Sequence, residues 1–195
     1  IDWLCFPHFD SSSVFAGILD ENKGGCFSIS PLVEQCQSKQ FYWPETNVLI
    51  TRFLCADGVV ELVDFMAVSD HVERCDYHLL IRIVTGLSGQ MSLRAVCQPA
   101  FNYGRDAHEV IVTPHGACFH SPTQSLGIAT EIPLQQAGTM VRGDFTLTEG
   151  QSAVFVLQPI EHGQGCGLPF SEKQATECFK ETVDYWRRWV ILKSN

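Results

Sequence analysis

The stretch from Asn47 to Met66 constrains the fold of this chain more than any other, because two runs of β-branched and apolar residues meet there at a turn dipeptide. NVLITRFLC is followed by Ala56-Asp57-Gly58 and then by VVELVDFM. Glycine tolerates the positive φ that a tight reversal demands, so Asp57-Gly58 between such runs predicts an antiparallel hairpin of two long strands. A second hairpin is predicted from HLLIRIVT (78–85) and QMSLRAVCQ (90–98), joined across Gly86-Leu87-Ser88-Gly89. In the latter run Met91, Leu93, Ala95 and Cys97 share one side, while Ser92, Arg94 and Gln98 mostly share the other, the alternation of a sheet with one wet face.

Further strands are predicted near 110–113, 117–120, 125–130, 139–147 and 153–158. So many strands, parted by Gly, Pro and Asp turns, predict an all-β fold, a two-layer antiparallel β-sandwich. Two helices are expected beside it. A short amino-terminal helix over 11–20, capped by Asp10 or Ser11, would place Val14, Phe15, Ile18 and Leu19 on one side. A longer helix starts at Ser171, which has capping-box spacing to Gln174, and runs to about Lys193. Its apolar positions, among them Ala175, Phe179, Val183, Trp186 and Trp189, recur at helical spacing. The loop 160–169, rich in glycine, is the one plausible boundary, dividing a sandwich (1–170) from a linker helix (171–195).

Composition narrows the function classes. The chain has 195 residues and is 45% hydrophobic, enough to bury a sizeable core and too apolar for a disordered tail. A net charge of −9 with only 13 basic residues argues against nucleic acid as a partner, since such binding neutralises phosphates with Lys and Arg. No apolar run approaches the length of a membrane span, and no leader pattern opens the chain, so no membrane role is expected. The nine cysteines form no Cys-x-x-Cys pair. Cys55 and Cys97 sit in apolar strands, so the cysteines are read as mostly reduced, buried thiols of a cytoplasmic protein. His115, Cys118 and His120, even with His108, match no compact zinc spacing, and no metal is expected. Neither a Gly-x-Ser-x-Gly elbow nor a Walker phosphate loop occurs, so no cofactor is expected.

The order of short motifs along the chain adds a family. These are Ile1-Asp2-Trp3-Leu4-Cys5, Pro7-His8-Phe9-Asp10-Ser11, Phe15-Ala16 with Gly24-Gly25, and Pro44-Glu45-Thr46-Asn47-Val48-Leu49 with Thr51-Arg52-Phe53. Asp57-Gly58-Val59-Val60-Glu61, Asp64-Phe65-Met66, Phe101-Asn102-Tyr103-Gly104-Arg105 and Tyr185-Trp186-Arg187-Arg188-Trp189 follow. The series resembles the amino-terminal domain of glycoside hydrolase family 15 proteins, of the bacterial-type trehalase and glucoamylase-like kind. In that family a β-sandwich precedes a longer (α/α)6 helical barrel that carries the catalytic glutamates. The resemblance therefore implies that no catalytic residue lies in this chain, that a barrel follows Asn195, and that some residues precede Ile1. It also implies that the complete enzyme hydrolyses an α-glucosidic bond with inversion, in trehalose or an α-glucan oligosaccharide. The partners it implies are the chain's own carboxy-terminal barrel and that α-glucoside.

Several residues are singled out against this background. The loop of His8, Phe9 and Asp10 is a candidate for the substrate rim or the interdomain seam, and His8 stands where the family commonly has Arg. Histidine cannot reproduce the two parallel hydrogen bonds of a guanidinium and loses its charge near neutrality; an exposed loop histidine is the plainer reading. Trp43 is a candidate sugar platform or an edge aromatic. Trp186 and Trp189, three residues apart on a helix, are read as interdomain or sandwich packing rather than as sugar-stacking faces. For Asp2, Asp10, Asp64 and Asp106, structural roles suffice. Two alternatives stay open: a free-standing carbohydrate-binding sandwich, and a protein-interaction sandwich without sugar affinity.

Overall fold

The structure, a computed structural model, describes residues 1–68 and 78–193. Its strands are β1 (Leu4–Cys5), β2 (Ser13–Phe15), β3 (Cys26–Pro31), β4 (Cys36–Tyr42), β5 (Leu49–Cys55), β6 (Gly58–Met66), β7 (Leu80–Gln98), β8 (Glu109–Thr113), β9 (Gly116–His120), β10 (Ser125–Thr130), β11 (Gln135–Ala137), β12 (Met140–Thr148) and β13 (Ser152–Ile160). A helix, Glu172–Lys193, closes the described chain. A larger sheet runs in the order β4-β5-β6-β7-β13-β10-β9-β8, and the second half of β7 forms a smaller sheet with β3 and with the β12–β11 pair. The strand pairings are antiparallel and the two sheets face each other as a sandwich.

The Asp57-Gly58 hairpin forms as predicted, with Cys55 opposite Gly58 and Leu49 opposite Asp64. The second hairpin does not. Residues 80–98 are one continuous strand that belongs to both layers: Leu80 to Thr85 pair with β13, and Gln90 to Cys97 pair with β12. The four residues expected to reverse the chain instead turn a corner. Their backbone groups are taken by neighbours, Gly86 N–H donating to Gln151 O at 2.9 Å while the Gly86 and Gly89 carbonyls accept from Gly150 and Glu149. A register shift on β6 at Val59/Val60 marks the bulge that accompanies the bend.

The amino-terminal helix over 11–20 is also absent. Ser13–Phe15 is a strand paired to Leu4–Cys5, and the chain from Ala16 to Gly24 is a turn in which the Asp20 carboxylate accepts from Asn22 and Lys23 N–H. Residues 13–16 are buried on every side, an environment that favours an extended segment between two surfaces over a helix with one apolar stripe. Asp10 accordingly caps nothing. Strand β4, whose residues carry no apolar alternation, is an exposed sheet edge with Gln37, Ser38, Lys39 and Gln40, and polar residues with a lysine are how an edge is kept from pairing with other chains.

The core between the sheets is built on Phe15, Phe27, Leu62, Val84, Leu93, Phe119 and Phe155. A second apolar layer lies outside the larger sheet, where Ile50, Phe65, Ile81, Ile83, Val154 and Val156 pack under Ala175, Phe179 and Val183 of the helix. Strand β7 is thus covered on both faces over 80–84, which explains why that stretch reads as an unbroken apolar run. Arg82 interrupts the run and is buried with Asp64. Its Nε and Nη2 donate to the two carboxylate oxygens at 2.7 and 3.1 Å, its Nη1 donates to Phe27 O across the sandwich at 2.5 Å, and the guanidinium stacks 4.5 Å over the Phe27 ring.

The expectation for the cysteines is corrected at one pair. Cys36 and Cys55, opposite each other on β4 and β5, form a disulfide, whereas Cys5, Cys26, Cys97, Cys118 and Cys166 remain thiols. The strand opposite Cys55 is polar and gives no apolar signal in the sequence, so the partner of Cys55 is not legible there. The link closes a short loop, so its reduction is expected to lower stability by about 3 kcal/mol, measured as a drop in urea midpoint in the presence of dithiothreitol. The Arg94–Asp144 pair, joined by two 2.7 Å hydrogen bonds on the surface, should matter far less. Hydrogen bonding to Arg94 lowers the Asp144 pKa, so any stabilisation is present above the unfolded carboxylate range and fades as pH falls through the depressed folded value. Because both groups are solvated, Asp144→Asn is expected to leave the melting temperature at pH 7 within error. Among the described residues no helix is long and apolar enough to cross a membrane.

Candidate functional site

The strand registers define one end of the sandwich where sequence-distant segments meet. Strand β5 begins there at Leu49, opposite Asp64 near the end of β6, and β7 begins opposite the last residue of β6. The end of β13, the start of β10, the end of β9 and the start of β8 fall on the same edge, through Ile160, Ser125, His120 and Glu109.

Four segments gather at this end. The His8 loop reaches it through a 4.8 Å edge-to-face contact between His8 and His78, just before β7. The 43–48 turn joins β4 to β5. The turn Phe101–Gly104 is tied in by Asp106, whose carboxylate accepts from Asn102 Nδ2 at 3.1 Å and from Thr123 Oγ1 at 2.9 Å. The helix crosses the outer face of the large sheet, is pinned by the Thr182 hydroxyl to Val68 N–H at 3.1 Å, and carries Trp186 and Trp189 to the 43–48 turn.

A cleft of about 560 Å³ lies between that turn and the last turns of the helix, lined by Tyr42, Trp43, Glu45, Trp186 and Trp189 among others. The turn is held by the Thr46 hydroxyl, which donates to Trp43 O at 2.8 Å and accepts from Val48 N–H at 3.1 Å. Glu45 takes a positive φ of 61°, an uncommon conformation for a residue with a side chain. Trp43 packs edge-to-face on Phe179 at 5.6 Å, and Trp186 does so on Trp189 at 5.9 Å. Tyr42 is 64% and Trp189 46% exposed, so the cleft is an aromatic surface with a carboxylate at its lip. Such a surface suits burial against another protein layer or stacking of sugar rings.

The other residues singled out in the sequence find separate places. Phe9 is 93% exposed at the tip of its loop, between exposed His8 and Asp10. Asp2 is exposed, Asp64 is held by Arg82 and Asp106 by Asn102 and Thr123. His108, Cys118 and His120 turn to Thr139 O, Gln164 O and Ser125 Oγ respectively, and His115 is exposed. Among the described residues no three His, Cys, Asp or Glu side chains converge as a metal site would require.

Sequence reasoning missed Trp3 and Tyr103 as surface aromatics. They lie 6.4 Å apart, each 45% exposed. Asn102 and Tyr103 have φ of 52° and 59°, and left-handed residues with side chains persist only where their surroundings hold them. The signal available was the Phe-Asn-Tyr-Gly-Arg motif itself.

Residues 1–140 match the family described as trehalase-like, N-terminal. The chain is 32% identical over 197 aligned residues to a trehalase of Thermoplasma volcanium, covering 100% of this chain and 31% of that protein. It is also 32% identical to a trehalase of Thermoplasma acidophilum, covering 97% of this chain and 32% of that protein. The chain therefore spans about a third of the length of these relatives. Among solved structures, a putative kojibiose phosphorylase from the human microbiome aligns with a TM-score of 0.48 at 10% identity, over 91% of this chain and 26% of that one.

Proposed function

Because the chain belongs to the trehalase-like amino-terminal family, we propose that it is the non-catalytic β-sandwich of a longer glycoside hydrolase of family 15, and that it braces the catalytic barrel through the end just described. The supporting observation is the gathering of the His8 loop, the 43–48 turn, the Phe101–Gly104 turn and the Trp186–Trp189 helix end on one surface. Large aromatics there supply apolar area for an interdomain contact, and the loops supply register. The His8, Phe9 and Asp10 loop, exposed at the same end, shapes the rim of the substrate pocket in this reading. The parent enzyme would cleave the α-glucosidic bond of trehalose or of an α-glucan oligosaccharide by inversion, with its acid and base in the barrel. A cytoplasmic location belongs to the same proposal, supported by thiols such as Cys5, Cys26 and Cys97, which outnumber disulfide-bonded cysteines among the described residues.

A second reading, a carbohydrate-binding sandwich, is favoured by the cleft, where three tryptophans meet. The test separates the two. The pure chain should release no glucose from trehalose, maltose or soluble starch. Mixed with the separately expressed barrel of its parent, it should form a pair that Trp186→Ala weakens by at least about tenfold, the effect of truncating an aromatic anchor. His8→Ala should change the sugar kinetics of the reassembled pair without loss of pairing. Unaltered pairing in the tryptophan variant would remove the docking role, and calorimetric binding of maltose or trehalose by the isolated chain would favour the second reading.

A further inference from the structure

The connector between β13 and the helix lays Cys166 against the outer face of the larger sheet. On that face Cys118 of β9 stands directly opposite Gly127 of β10 in the antiparallel register. Side chains opposed in such a ladder share a face, with Cβ positions about 5 Å apart. Gly127 has no side chain, and the backbone of Cys166 fills the place of one: a Cβ on Gly127 would stand 2.8 Å from the Cys166 Cα. Cys118 and Cys166 are therefore neighbours, and both are almost wholly buried, at 2% and 3% exposure. The connector is drawn down at this point by further contacts. Cys118 Sγ donates to Gln164 O at 3.6 Å, Gln158 Nε2 donates to Cys166 O at 2.9 Å, and the Thr113 hydroxyl lies 3.2 Å from Cys166 Sγ.

We propose that Cys118 and Cys166 are a second disulfide site, a buried dithiol that closes by exchange with a small-molecule disulfide and pins the connector to the sheet. Such a bond needs Cα atoms roughly 4.4–6.8 Å apart and facing Cβ atoms, and the register at Gly127 brings the two side chains together, close enough for their thiols to hydrogen-bond. In the first step the thiolate of Cys166 attacks one sulfur of an external disulfide such as oxidised glutathione, and the other half leaves as a thiolate that takes up a proton. In the second, Cys118 gives up its proton and attacks the Cys166 sulfur of the mixed disulfide, expelling the remaining glutathione. The two protein thiols lose two electrons and two protons, and the external disulfide gains both. Cys166 reacts first because it lies on a connector flanked by Gly163, Gly165 and Gly167, whereas Cys118 is held in mid-strand. Burial, and then the adjacent Cys166, also push the Cys118 thiol up to about 11, which keeps it protonated until its partner is activated. The consequence is a connector fixed ahead of Ser171, where the helix begins. This site stands whether or not the end face docks a barrel.

Non-reducing peptide mapping of the 195-residue chain, after incubation with oxidised glutathione and alkylation, tests the site. The expected result is a linked peptide pair containing Cys118 and Cys166, loss of both from the alkylated pool, and a melting temperature raised by roughly 5–10 °C. Cys118→Ser and Cys166→Ser should each abolish the link and the rise. The Cys36–Cys55 disulfide is the internal control for oxidation. If that control has formed while Cys118 and Cys166 are both recovered alkylated, or either is joined to another cysteine such as Cys26 or Cys97, the proposal is overturned. The unaltered chain carries the measurement, so a poorly folding variant does not obscure it.

Discussion

Replacing Asp64 with alanine is expected to destabilise the fold by about 3–5 kcal/mol, because it leaves the buried Arg82 guanidinium without its counter-charge. The side chains of Arg82 and Asp64 are only 4% and 11% exposed, so water cannot take the place of the lost carboxylate. Arg82 also donates to Phe27 O and stacks on the Phe27 ring, and Phe27 belongs to the smaller sheet. The ion pair thus links the two layers as well as neutralising itself. Asp64→Asn should be nearly as damaging, since a neutral amide keeps the shape but not the charge. The double variant Asp64→Leu with Arg82→Met should recover most of the loss, because replacing both partners removes the desolvated charges together. Urea midpoints measured for all three would decide the matter. A loss below about 1 kcal/mol for Asp64→Ala would mean that Arg82 reaches water in solution.

The second large effect is expected at the corner of β7. Gly89 and Gly138 have the same positive φ of 65°, but their surroundings differ. A Cβ on Gly89 would stand 2.1 Å from Asp57 O and 2.9 Å from Gly58 Cα, whereas one on Gly138 would meet nothing within 4 Å. Alanine at Gly138 should therefore cost only the left-handed conformation, roughly 1–2 kcal/mol. Alanine at Gly89 must also push the β5–β6 turn away from the corner, and a total of about 3–4 kcal/mol is expected. Equal melting temperatures for the two variants would show that the corner is soft enough to yield.

These two sites illustrate where reading the sequence succeeds and fails. Hairpin signals are local, and Asp57-Gly58 between alternating runs was enough to place β5 and β6. At Gly86 to Gly89 the same kind of signal misled, because a glycine-containing segment serves equally for a reversal and for a bend. Which one occurs depends on who accepts and donates at Gly86 and Gly89, and those partners lie some sixty residues downstream in the β12–β13 turn. The 11–20 segment failed for a related reason. Val14 and Phe15 suit a helical stripe as well as a strand, and burial of residues 13–16 from both sides decided for the strand. Strand β4 escaped notice because an edge is built from polar residues, and with it the partner of Cys55 escaped too.

For the candidate site, each motif was legible singly: the His8 loop, Trp43 before a proline, Phe-Asn-Tyr-Gly-Arg, and the paired tryptophans of the last helix. Their convergence on one end was not, since strand order and register carry no local mark. By itself the sequence determined the all-β class, the β5–β6 hairpin, the terminal helix and the family, because turn chemistry, periodicity and motif order act over a few residues at a time. Only the tertiary structure decided that β7 joins both layers, that Arg82 is buried on Asp64, that Cys118 meets Cys166, and that the aromatic segments share one surface. Each of those depends on contacts between residues far apart in the chain, whose energies exist only once the sheets have packed.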